Sequence, residues 1–124
     1  MVLLGVWLPV RQLHDTAQCP QAAYNRHMPD DRTAHYEQLS TDGRVRITRW
    51  TFASGQATGM HIHEFDYTAV PITGGQFRAD FPDGTSSDVT QVAGQPYSRE
   101  RGVHHNVCFV GEGAAQFVEI EYLA

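Results

Sequence analysis

Gly55-Gln56-Ala57-Thr58-Gly59-Met60-His61-Ile62-His63-Glu64-Phe65-Asp66-Tyr67 carries two histidines one residue apart on a segment that reads as a β-strand. Strand side chains alternate between faces, so His61 and His63 project to the same side. Two imidazoles on one face can grip a single transition metal. Further along, Gly102-Val103-His104-His105-Asn106 offers more imidazole at the edge of another expected strand. A fold that lays the second segment beside the first brings three histidines to one point.

On either side the chain alternates strand and turn. Tyr36–Leu39 stops at Thr41-Asp42-Gly43, where Asp-Gly signals a tight turn, and Arg44–Phe52 alternates and is rich in β-formers. The His61/His63 segment runs on to Ile72 and ends at Gly74-Gly75. Gln76–Phe81 and Ser86–Val92 flank Pro82-Asp83-Gly84-Thr85, a hairpin signal, and Tyr97–Arg99, His104–Val110 and Gln116–Leu123 complete the set. Pro71 marks an edge, a bulge or a strand end. No helical period is sustained, so about eight short strands predict an antiparallel sandwich or barrel able to enclose a cavity.

The chain of 124 residues is long enough for one domain with an ordinary core. A 41% apolar and 19% charged composition is that of a globular chain and not a disordered one. Net charge of -5 argues against a nucleic-acid partner, which needs a basic surface. All nine basic residues are arginine, which excludes lysine Schiff-base chemistry. Cys19 and Cys108 have no metal-type spacing and read as free thiols in a reducing compartment. The apolar start, Met1–Val10, is too short to span a bilayer and lacks a preceding positive charge. The expectation is a cytoplasmic protein without a membrane partner, with residues 1–32 an arm and 33–124 the folded barrel.

Two spaced motifs carry a resemblance. Gly55, His61, His63 and Gly74 fit the pattern glycine, five residues, His-x-His, a glutamate, six residues, glycine, with Tyr67 where the glutamate stands. Gly94, Gly102 and His105 fit the second pattern, with Glu100 in place of its proline and Phe109 in place of its asparagine. Together they resemble the cupins. The run from His61 through Val70-Pro71-Ile72-Thr73-Gly74-Gly75 and on to Val107 is similar to a group of small single-domain cupins, some associated with β-alanine catabolism. The resemblance implies an all-β fold, an antiparallel double-stranded β-helix or jelly-roll barrel.

It also implies that His61, His63 and His105 ligate a divalent transition metal, Zn, Fe, Ni, Cu or Mn. Tyr67 shares the parity of the two histidines, so its phenol should point inward, while Glu64 and Asp66 point away. A phenol with a pKa near 10 is a poor ligand. Three imidazoles plus an open position is therefore the expected arrangement, with Tyr67 beside the site as the catalytic candidate and direct phenolate coordination as the alternative. Trp50, Tyr97, Arg99 and Glu119 are pocket candidates. An inward arginine, Arg49 or Arg99, would bind a carboxylate. Phe77 and Phe117 read as core, His104 faces away from His105, and His14, His27 and His35 read as solvated.

Two function classes remain open at this level. One is a metal-dependent enzyme on a small, carboxylate-bearing molecule, with oxygenase, isomerase, lyase or hydrolase chemistry. The other is a non-catalytic small-molecule binder with a structural metal or none. A homodimer is expected, because the apolar arm and the sheet edges need cover.

Overall fold

The computed structural model describes residues 32–124. The expected arm over residues 1–32, with Cys19, His14 and His27, falls outside them apart from Arg32. Nine strands follow: β1 His35–Thr41, β2 Val45–Ala53, β3 His61–Ile62, β4 Tyr67–Pro71, β5 Gly75–Asp80, β6 Ser86–Gln91, β7 Tyr97–Arg99, β8 His104–Phe109 and β9 Ala114–Tyr122. They form a five-stranded sheet in the order β1-β2-β9-β4-β7 and a four-stranded sheet in the order β3-β8-β5-β6. Every strand pairing is antiparallel. The molecule is all-β, a jelly-roll sandwich. No helix among the described residues is long and apolar enough to cross a membrane.

The turns are made by the residues that signal them. Asp42 Oδ1 accepts hydrogen bonds from the Arg44 and Val45 amides at 2.9 and 3.1 Å, closing the β1–β2 hairpin around Gly43. Asp83 Oδ1 does the same at the β5–β6 hairpin, accepting from the Thr85 amide at 3.0 Å and its hydroxyl at 2.7 Å.

One strand departs from the expected pattern. The run His61–Ile72 splits into β3 and β4, and the halves belong to different sheets. The chain crosses the sandwich between His63 and Tyr67. His63 stays attached to the β8 side through its amide to Val103 O at 2.9 Å and its carbonyl to the Gly102 amide at 2.8 Å. Pro71 is buried as the last residue of β4, the strand-end position.

The interior is divided along the strands. At one end Phe52, Phe77, Phe109 and Phe117 pack with Ala34 and Ala115. Phe52 and Phe77 meet edge to face with centroids 5.2 Å apart. A Cβ at Gly111 would lie 2.8 Å from the Phe109 ring and one at Gly75 3.0 Å from it, so two glycines let that ring seat. The buried polar side chains among the described residues are Thr48, His63, Asp80, Gln91 and Asn106. Cys108 is fully buried, but the free-thiol expectation does not hold for it: Cys108 is disulfide-bonded.

Candidate metal centre

Pairing of β3 with β8 sets His61 directly opposite His105. His63, two residues on, turns to the same interior face and is 5% exposed. The three Nε2 atoms converge: His61 to His63 is 3.1 Å and His63 to His105 is 3.2 Å. Ligand nitrogens about 2.0–2.1 Å from one ion at angles of 90–109° stand about 2.8–3.4 Å apart, so these separations suit a shared cation.

The tautomer of His61 follows from its neighbour. Its Nδ1 lies 2.8 Å from the Gly59 carbonyl, which can only accept, so Nδ1 carries the proton and Nε2 presents a lone pair. With neutral rings, a single N–H can bridge at most one of the two Nε2 contacts well. A cation satisfies all three nitrogens, and this donor set fits one.

A buried network holds that geometry from behind. The Gly59 amide donates to Asn106 Oδ1 at 2.9 Å, and Asn106 Nδ2 donates to Asp80 Oδ2 at 3.1 Å. Arg78 Nε donates to Asp80 Oδ1 at 2.8 Å. Asp80 and Asn106 are each 3% exposed. Gly59, whose carbonyl orients His61, is thereby tied through its own amide and one amide side chain to a buried ion pair. Thr58 adds a clamp, its amide donating to Val107 O and its hydroxyl accepting from the Val107 amide.

Tyr67 reaches the cluster from the opposite sheet and lies flat on His63, centroids 3.9 Å apart and planes 18° apart. It is 4% exposed, and burial drives its hydroxyl well above the usual phenol range, so it stays protonated. Trp50, Tyr67 and Glu119 border a chamber of about 30 Å³ beside His61 and His105, large enough for an ion or a water. Tyr97 receives a hydrogen bond from Gln91 Nε2 at 2.9 Å, and Arg99 lies exposed at the rim. Arg49 turns outward to Glu37 at 2.6 Å, which leaves Arg99 as the arginine on the cavity side. His104 sits opposite Ile62 on the other face, and Asp66 accepts the Arg101 amide at 2.8 Å.

The electrostatics keep the rings neutral. Burial, reinforced by the charge of His61, lowers His63 to about 4. Burial and the other imidazoles lower His105 to about 3, and His61 is lowered by burial as well. Glu119 moves the other way, to about 7, through burial and the charge of Glu121. A testable pH dependence follows for the metal-free protein. Between pH 6.5 and about 4 the unfolded chain binds these imidazole protons and the folded chain does not, so stability rises with pH there. Glu119 opposes this with one proton against the two of His63 and His105. The thermal midpoint of metal-free protein should therefore fall between pH 6.5 and 5; a midpoint that rises on acidification would contradict it.

No family model matches the chain. It is 41% identical over 80 residues to the β-alanine degradation protein BauB of Pseudomonas aeruginosa, spanning 64% of this chain and 83% of that protein. The crystal structure of a cupin domain from Bordetella pertussis Tohama I superposes with a TM-score of 0.71 at 37% identity, covering 74% of this chain and 95% of that one. The chain belongs to the cupin family. The fold also matches an RmlC-like cupin from Methanocaldococcus jannaschii at a TM-score of 0.61 and 14% identity, over 78% and 86% of the two chains.

In this cupin the carboxylates near the histidines come from the last strand. Ala115, Phe117, Glu119 and Glu121 alternate inward along β9, and His63, Glu119 and Glu121 place ligand atoms within 4.8 Å of one another. Glu121 is held by Arg46 through two bonds of 2.8 and 2.9 Å. Sequence reading passed over Glu121, although its phase with Phe117 was a usable signal. Asp80, Asn106 and Gln91 left no such signal, because their roles depend on contacts between strands distant in sequence.

Proposed function

We propose that this cupin is a metal-dependent enzyme acting on a small carboxylate-bearing metabolite, in a context such as β-alanine degradation. The convergence of three Nε2 atoms on one point carries the reading. His61, His63 and His105 would hold a divalent transition metal, with Zn, Fe, Ni, Cu and Mn all compatible with imidazole to differing degrees. The ion supplies Lewis acidity and, if redox-active, electrons. Tyr67 fixes the plane of His63 and offers a protonated hydroxyl. Glu119 can take or give a proton on its carboxyl oxygen near neutral pH. Trp50 walls the chamber, and Tyr97 and Arg99 stand at the substrate side.

Elemental analysis of protein purified without added metal tests this: about one ion per chain is expected. A content below about a tenth of that, unchanged after incubation with zinc or iron, would remove its basis. One observation favours the second reading, a non-catalytic binder. The position where the family carries a carboxylate holds a tyrosine, stacked on the His63 ring.

The reading includes a homodimer. All seven residues of β1, an outer strand of the five-stranded sheet, are exposed among the described residues, and Tyr36 on it is 62% exposed. Light scattering should return twice the chain mass; a monomer at micromolar concentration would contradict this.

A further inference from the structure

Two spaces flank the histidines, and they differ in charge. Glu119 and Glu121 line the one that opens past His61 and His63. The other is a cavity of about 240 Å³ inside the sandwich, with Arg99 and His105 both on its wall. Phe77, Phe81, Val89 and Val107 supply its apolar wall, and no aspartate or glutamate borders it. Its one fixed charge is the Arg99 guanidinium.

Arg99 is committed only lightly. Its Nη1 donates to Ser98 O at 3.0 Å and its Cζ lies 4.7 Å over the Tyr97 ring, with no ion pair to a carboxylate among the described residues. A second, independent mark stands on the wall. Gln91 is 4% exposed and gives its Nε2 to Tyr97, yet its Oε1 is buried with no partner. Buried amide oxygens are nearly always paired, and this one belongs to a residue of the cavity wall, so a small turn of the side chain would offer it to a hydroxyl donor on a ligand.

We infer that this cavity binds a short monocarboxylate bearing a hydroxyl and no ammonium group, with its carboxylate on Arg99 and its far end at the histidines. The inference rests on the metal-enzyme reading only for what happens at that far end. Three features select the ligand. The guanidinium matches a carboxylate in a bidentate fork. An ammonium in the body of this cavity would lose its water beside a positive guanidinium with no carboxylate on the wall, since Glu119 borders the small chamber beyond His105 and not this cavity. The volume, at about 30 Å³ for each water-sized group, admits about eight non-hydrogen atoms.

The test is titration calorimetry of the full chain, metal-free and zinc-loaded, with 3-hydroxypropionate, propionate and β-alanine as probes. In the wild type 3-hydroxypropionate should bind most tightly and β-alanine at least about tenfold more weakly. Arg99→Gln, on the surface and so safe for the fold, should lose about tenfold or more for 3-hydroxypropionate, and Arg99→Lys should recover part of it. Equal binding of β-alanine and 3-hydroxypropionate, an unchanged Arg99→Gln, or no binding of any probe at millimolar concentration would overturn the inference. Metal content of the same samples separates the two claims. Arg99-dependent binding without zinc uptake leaves the pocket and removes the metal centre; zinc uptake without acid binding does the reverse.

Discussion

A chain carrying His61→Ala and His105→Ala together is expected to lose metal affinity by more than about four orders of magnitude while keeping its fold. Structural four-ligand zinc sites are worth about 10–16 kcal/mol, or about 2.5–4 kcal/mol per ligand if shared evenly. Two imidazoles removed then cost about 5–8 kcal/mol, which at about 1.4 kcal/mol for each factor of ten is about four to six orders of magnitude. His63 would remain, but one imidazole beside Glu119 and the Arg46-bound Glu121 is a weak site. The fold should tolerate the change, because the aromatic core lies at the other end of the sandwich. Competition with a chromogenic chelator measures the affinity and circular dichroism the fold. Equal metal content in variant and wild type would mean that metal binds elsewhere.

Asp80→Ala should cost about 3–5 kcal/mol of stability, the usual result of leaving one partner of a buried ion pair uncompensated. Its side chain is 4% exposed and that of Arg78 14%, and the two are linked at 2.8 and 3.3 Å. Asn106 loses its Asp80 contact in the same step, and Asn106 holds the amide of Gly59, the residue whose carbonyl orients His61. Metal affinity should therefore drop as well, about 10–100-fold, the usual scale for a group that supports a ligand from behind. Asn106→Ala separates the effects: it frees the Gly59 peptide and leaves the Arg78–Asp80 pair in place. Urea denaturation and metal competition on both variants give the two numbers. A stable Asp80→Ala protein with unchanged affinity would show that the network does not support the site.

The fold was legible because its signals are local. Asp42-Gly43 and Pro82–Thr85 act through hydrogen bonds between residues two or three apart, and the alternation in β2 shows which side chains face in. The same alternation misled at one place. His61, His63 and Tyr67 share parity, but parity holds only within a continuous strand. The chain changes sheets after His63, so Tyr67 faces the imidazole from across the sandwich and stacks on it. Its inward direction was readable; its partner was not.

Spacing along the chain alone determined that His61 and His63 share a face, and the two glycine-bounded motifs placed His105 with them. Tertiary structure alone decided the rest of what surrounds those rings: Glu121 beside the pocket candidate Glu119 on β9, the Asp80–Asn106 support behind Gly59, and the apolar wall of the cavity that the candidate Arg99 borders. The division has a physical cause. Side-chain direction within a strand is set by neighbouring backbone, whereas the charge and volume around a buried group are set by strands that pair across tens of residues of chain.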